Sequence, residues 1–153
     1  MDRISKAARS ANMQRIRSTG MKPEMAVRRM VHGLGYRYRL HRHGLPGRPD
    51  LIFGPRRKII FVHGCFWHQH PGCRAAHIPK SNLEYWSLKL ARTVERDKKT
   101  ICRLLAAGWQ VLVIWECETK DDARLARALQ EFLGTYTCSR RRDVGGQSTT
   151  TGK

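Results

Sequence analysis

The sequence predicts a mixed α/β layer fold in which helices pack on a small central sheet. Two observations lead there. Segments with helical apolar spacing alternate with short β-branched runs in the order α-α-β-β-β-α-β-α, a pattern that suits helices layered on a sheet. The composition, 41% hydrophobic and 27% charged over 153 residues, is that of a globular body rather than a disordered chain. The length fits one domain and is sufficient to bury a sizeable core.

Each element has its own signal. Residues 4–17 carry Ile4, Ala7, Ala8, Ala11 and Ile16 as a weak apolar stripe among basic residues. A second helix opens at Pro23, which suits a first helical turn, with Glu24 at the positive end of the helix dipole. It runs through Met25, Ala26, Arg29, Met30 and Leu34, and Gly33 and Gly35 end it. Residues 36–40 alternate at period two and read as a strand. Residues 50–53 and 58–62 read as two more, joined at Gly54-Pro55 as a hairpin across the centre of the sheet. Ser81-Asn82-Leu83-Glu84 has the form of a capping box. The long helix it opens follows Leu83, Trp86, Leu90, Val94, Ile101, Leu104 and Leu105 and stops at Gly108. Residues 110–115 read as a buried strand from their near-continuous apolar run, and residues 121–133 as a last helix. One domain over 1–138 is expected, followed by a polar, low-complexity tail over 139–153 with the composition of a disordered segment.

Charge narrows the function. Thirty Lys and Arg against twelve Asp and Glu give +18. Such a field concentrates polyanions, and nucleic acid is the first candidate partner because each neutralised phosphate releases counterions. No apolar run approaches the ~20 residues that span a bilayer. No apolar segment follows the opening MDRISKAARS. Membrane, secreted and fibrous classes are therefore set aside, and a cytoplasmic protein is expected.

The five cysteines are odd in number and come without an export signal, which favours metal or buried-thiol roles over disulfides. Cys65, His70 and Cys73 fall within nine residues. Zinc prefers four tetrahedral sulfur and imidazole ligands, and Cys117, just past the 110–115 strand, is the candidate fourth. Such a site would stiffen a loop too polar to fold on its own core. His63 and His68 compete as ligands, His77 is the weakest candidate, and ordinary buried thiols are the alternative. In the same loop Phe66 and Trp67 are adjacent large aromatics. They read either as partial core filler or, in so basic a chain, as a wedge that unstacks base pairs. Met13, on the basic N-terminal helix, is a similar probe or a core residue.

Asp50 closes the turn Pro46-Gly47-Arg48-Pro49-Asp50 and opens a strand. It is either a turn residue or a ligand for a divalent cation. The next strand ends at His63, so Asp50 and His63 should lie on neighbouring strands, with Glu24 and His68 leaning over the same centre. A carboxylate with magnesium and an imidazole titrating near ~6.5 suit phosphodiester hydrolysis.

Together LPGRPD, IIFVHGCFWHQHPGC, YW with TVERDKK, and GWQVLVIWEC resemble the very short patch repair (Vsr) mismatch endonucleases, from about Ser5 to Phe132. The resemblance implies a restriction-endonuclease-like PD-(D/E)XK core with a zinc-stabilised loop. It also implies a monomer of the bacterial cytoplasm and nucleoid, nicking double-stranded DNA beside a T:G mismatch left by deamination of 5-methylcytosine. By position, Asp50 matches the magnesium-binding aspartate, joined by the backbone carbonyl of Val62. His68 matches the general base, and His63 and Glu24 the residues that organise water beside the metal. Cys65, His70, Cys73 and Cys117 match the zinc ligands, and Phe66, Trp67 and Met13 the intercalating side chains. Lys89 and Arg92 are candidate DNA contacts or a solvated helix face. Two positions depart from the family pattern: Val62 in place of threonine, and Thr93 in place of asparagine. Two rival readings are a zinc-stabilised DNA-binding module without catalysis and a restriction endonuclease that cuts intact duplex.

Overall fold

The computed structural model describes residues 5, 7, 8, 11, 21–40 and 43–134. Met13, with most of the expected helix over 4–17, and the tail over 139–153 lie outside the described residues. The described elements are α1 (Lys22–Gly33), β1 (Leu51–Phe53), β2 (Lys58–His63), α2 (Leu83–Ala106), β3 (Gln110–Trp115) and α3 (Asp122–Leu133). Short 3-10 turns fill Gly54–Arg56, Arg74–Ala76 and Glu116–Lys120.

The sheet has three strands in the order β1-β2-β3. β1 pairs antiparallel with β2, and β2 pairs parallel with β3, with α2 in the connection between them. Side chains alternate across it as strand geometry requires. Leu51, Phe53, Ile60 and Ile114 face one way, onto Val27 and Val31 of α1 and Leu125, Leu129 and Leu133 of α3. Ile52, Ile59 and Phe61 face the other way, onto Leu104 of α2 and Trp109. The result is a helix layer on each side of the sheet. His63 belongs by alternation to the α2 side of the sheet.

Three expectations need correction. Residues 36–40 form no ladder strand; Arg39 makes one isolated antiparallel bridge, exchanging 2.9 Å hydrogen bonds with Ile52. The ladder cannot lengthen, because the 3-10 turn at Gly54–Arg56 ends β1 on one side and Pro49, which lacks an N–H, precedes it closely on the other. The capping box does not form either. Asn82 is the cap residue, and its left-handed backbone (φ 54°) carries no side-chain cap bond, which needs an extended backbone to reach the first N–H groups. Third, β3 is half-buried rather than buried, with Ile114 alone fully covered, because it is the outer strand. By contrast α3 is capped as its sequence suggests: the Asp121 carboxylate accepts from the Arg124 N–H at 3.0 Å.

The β1–β2 turn does more than reverse the chain. Arg57 donates to the carbonyls of Ala107 and Gly108 beyond the end of α2 and lies 4.8 Å over the Trp109 ring. On the other face Arg56 donates to the Leu133 carbonyl at 2.9 Å and Lys58 to that of Phe132. These are the orphan acceptors at the negative ends of two helices, so cations satisfy both the hydrogen bonds and the dipoles. Tyr36 adds a hydroxyl bond to the Gly134 carbonyl. The core on this face is closely filled, and Leu129 is fully buried in it. Leu129→Ala is expected to lower unfolding stability by about 2–5 kcal/mol, read by urea titration.

Candidate functional site

The loop after β2 is built on registry. In the parallel β2–β3 pair His63 lies opposite Trp115. Two residues further along each strand come Cys65 and Cys117, so the pairing itself delivers two sulfurs to one place. The loop then turns back on itself, with His68 N–H bonded to the Gly64 carbonyl at 3.1 Å and His70 N–H to that of Cys65 at 3.0 Å. His70 and Cys73 are thereby returned to the same point. The ligand atoms of Cys65, His70, Cys73 and Cys117 all lie within 4.8 Å of one another. Nδ1 of His70 is 3.4 Å from the Cys117 sulfur and 3.7 Å from that of Cys65. Bond lengths of ~2.3 Å to sulfur and ~2.0 Å to nitrogen at tetrahedral angles put such atoms about 3.6 Å apart. The four residues can therefore hold one metal ion. Burial pushes the Cys65 thiol up to about 12, so its thiolate needs a cation beside it. Backbone N–H donation from Ala75, ahead of the other influences, draws the Cys73 thiol down. Cys102 is exposed on α2 and His77 binds the Arg74 carbonyl; neither belongs to the cluster.

On the α2 side of the sheet a cavity of about 750 Å³ is lined by Asp50, Val62, His63 and His68. The order of strands explains the gathering: Asp50 leads into β1, opposite the end of β2, and its Oδ2 accepts the Val62 N–H at 2.7 Å. His63 is buried and stacks on His68, with ring centroids 3.9 Å apart and planes 7° from parallel. Burial first, then the neighbouring His68, lowers the His63 pKa to about 4, against the opposing pull of Asp97. His63 is therefore a neutral imidazole at physiological pH.

Sequence reasoning missed Asp97. Its Oδ2 sits 2.5 Å from His68 Nδ1. A carboxylate can only accept, so Nδ1 carries the proton and the lone pair is left on Nε2. A signal was present. Asp97 occupies the core-facing stripe of α2, in step with Leu90, Ile101 and Leu104, where a carboxylate has no reason to be without a polar partner. Glu24 is placed differently from its expected partners. It is buried on α1, bound by Arg28 one turn on, and does not line the cavity.

Phe66 and Trp67 belong to neither core cluster. They meet edge to face at 5.0 Å, and both rest on Trp86 from α2, at 5.6 and 6.1 Å. They are half-buried, forming an aromatic ledge on the protein surface. Trp86, read in the sequence as an apolar helix position and as part of the YW motif, is the platform under it. Lys89 is held 5.4–5.6 Å from the rings of Trp67, Tyr85 and Trp86, and its ammonium donates to the Tyr85 hydroxyl. Arg92 is exposed about one turn further along α2, while the Thr93 hydroxyl is turned back onto the Lys89 carbonyl at 3.2 Å. No helix among the described residues is long and apolar enough to cross a membrane.

Comparison with known proteins agrees with the residues that carry the resemblance. The family model described as DNA mismatch endonuclease Vsr matches residues 1–74. A type II nicking enzyme, V.XorIIP of Xanthomonas oryzae pv. oryzae, is 48% identical over 132 residues, covering 86% of this chain and 96% of the relative. The DNA mismatch endonuclease Vsr of Escherichia coli K12 is 39% identical over 134 residues, covering 87% and 85%. The type II nicking enzyme V.NaeI of Lentzea aerocolonigenes is 46% identical over 122 residues, covering 76% and 72%. At that identity and coverage, the chain belongs to the Vsr family of DNA mismatch endonucleases.

Proposed function

We propose that this chain nicks one strand of double-stranded DNA beside a T:G mismatch arising from 5-methylcytosine deamination, and so starts very short patch repair. The observation that carries the reading is the cavity in which Asp50, His63 and His68 come together, close in sequence to an aromatic ledge on a chain of charge +18. Supporting it is membership of a family of DNA endonucleases. A restriction-endonuclease-like core is part of the proposal, supported by the mixed sheet with Asp50 leading β1 and helices on both faces. So are a monomeric state and action in the bacterial cytoplasm.

In the proposed reaction the oxygen of a water molecule bonds to phosphorus and the bond to the leaving sugar oxygen breaks. The water proton passes to Nε2 of His68, and the leaving oxygen takes a proton from solvent. Asp97 holds His68 in the reactive tautomer and stabilises the imidazolium that forms. His63, kept neutral by burial, packs against His68 without adding a competing charge. The Asp50 carboxylate and the Val62 carbonyl are hard oxygen donors beside one cavity and suit magnesium. Magnesium, when bound, would supply positive charge for the attacking and leaving oxygens. With the backbone carbonyl as the ligand, valine at position 62 serves as well as threonine; a role for the threonine hydroxyl would instead lower activity here. Glu24 is assigned the ordering of water on the strength of the resemblance. The three thiols and the His70 imidazole suit zinc in a structural role. Phe66, Trp67 and Met13 are assigned to intercalation, and Lys89 and Arg92 to DNA contact.

Asp50→Ala is expected to abolish nicking of a G:T duplex in magnesium while leaving mismatch binding largely intact, because affinity comes from phosphates and the ledge. Full nicking by that variant would remove Asp50 from the reaction. The purified protein should hold about one zinc per chain. Cys117→Ser should lower metal content and melting temperature together, since site formation is coupled to folding. Full zinc in that variant would contradict the ligand set. Trp67→Ala should weaken binding to G:T duplex by about 1–3 kcal/mol, the range for one base–aromatic stack, with a much smaller loss on G:C duplex at the same salt. Equal losses on both duplexes would make Trp67 a general-affinity residue.

A further inference from the structure

The cavity holds two cations that the reaction above leaves without a task. Arg48 and Arg96 are the Lys or Arg side chains that line it among the described residues. Neither forms an ion pair among those residues. Their surroundings include the carboxylates of Asp50 and Asp97, which on their own would repel a phosphodiester.

Arg48 is set in place by an unusual piece of backbone. Its φ is 50°, in the left-handed region that residues with a Cβ rarely hold, and it sits between Gly47 (φ 75°) and the buried Pro49. Gly47 runs so close to α2 that a Cβ there would meet Cγ2 of Thr100 at 2.1 Å. Thr100 follows Arg96 by one helical turn. The strained loop is thus pressed against the same stretch of helix that carries Arg96 and Asp97, and one guanidinium comes from each wall of the cleft. Arg96 also lines a neighbouring concavity along α2 with Arg92, Lys99 and Arg103, where Glu95 pairs with Lys99, so cations outnumber the one carboxylate on the approach to the cleft.

We infer that Arg48 and Arg96 clasp the scissile phosphate, donating to its non-bridging oxygens and offsetting the negative charge that builds on them as water attacks. This rests on the proposed reading of the cleft as the catalytic centre. A guanidinium is permanently charged, weakly hydrated and shaped for bidentate contact with phosphate, which suits a group held by a rigid loop. Preorganised donors of this kind act most strongly where charge develops in the transition state.

The test is single-turnover nicking of a G:T duplex in magnesium, at saturating enzyme and fixed salt, with Arg48→Ala, Arg96→Ala and the corresponding Lys variants. Each Ala variant should slow nicking by about 10²–10³-fold, each Lys variant should recover part of the rate, and melting temperatures should match that of the parent. Binding without magnesium adds a second readout. The parent protein should bind less tightly when the scissile linkage is a neutral methylphosphonate, and the Ala variants should scarcely distinguish the two duplexes. Unchanged saturating rates, with only weaker and less salt-dependent binding, would make these residues steering cations and overturn the clasp. Asp50→Ala separates the two levels. If it abolishes nicking while the arginine variants nick normally, the clasp fails and the catalytic centre stands. If it nicks normally, both fall together.

Discussion

Much of the candidate site hangs on the convergence of Cys65, His70, Cys73 and Cys117. Three of the four lie in one loop and the fourth follows a different strand, yet their ligand atoms fall within 4.8 Å of one another. Between the first two come Phe66, Trp67 and His68. The loop offers little apolar surface of its own to the core, with Cys65 its one buried side chain. Its shape must come from short backbone turns and from the cluster. The same closure therefore positions an aromatic ledge and an imidazole that are also held from α2, by Trp86 and Asp97, and by the stack of His68 on His63.

Trp115 joins the two centres. Its ring stacks on His70 at 4.3 Å, within 9° of parallel, and meets the edge of His63 at 5.4 Å. One side chain at the end of β3 thus touches a ligand of the cluster and a member of the cleft. The parallel register that places Trp115 opposite His63 is also the reason Cys117 meets Cys65. A one-residue slip of that pairing would turn every β3 side chain to the opposite face and dismantle both centres.

What could be read in the sequence divides along physical lines. The Cys–His cluster was legible because its donors are chemically rare and closely spaced, and the gathering of Asp50, His63 and His68 because short strands leave few places for their ends. The core strands were legible from β-branched runs. Residues 36–40 misled because alternation reports a half-buried extended chain and not the length of its partner, and β1 is three residues long. The Ser81 capping box misled because motif spacing carries no backbone angle, and Asn82 adopts a left-handed one. Asp97 was hidden by its charged neighbours: in RDKK it looks like one more surface ion, and only its place in the apolar stripe of α2 sets it apart. Glu24 shows the converse. Chemistry suggested it for the centre, while the structure sets it on α1, outside the cavity lining, with Arg28 as one partner of its carboxylate.

The short turn Arg56-Arg57-Lys58 lies at the far end of the hairpin from Asp50, yet it ties together the ends of helices on opposite faces of the sheet. Neither outer layer can fray at that end without uncovering the hairpin. The three layers are thereby pinned to one another at that end. If the ledge presses side chains into a stack of bases as proposed, α2 carries the reaction force to an end that Arg57 ties to the hairpin.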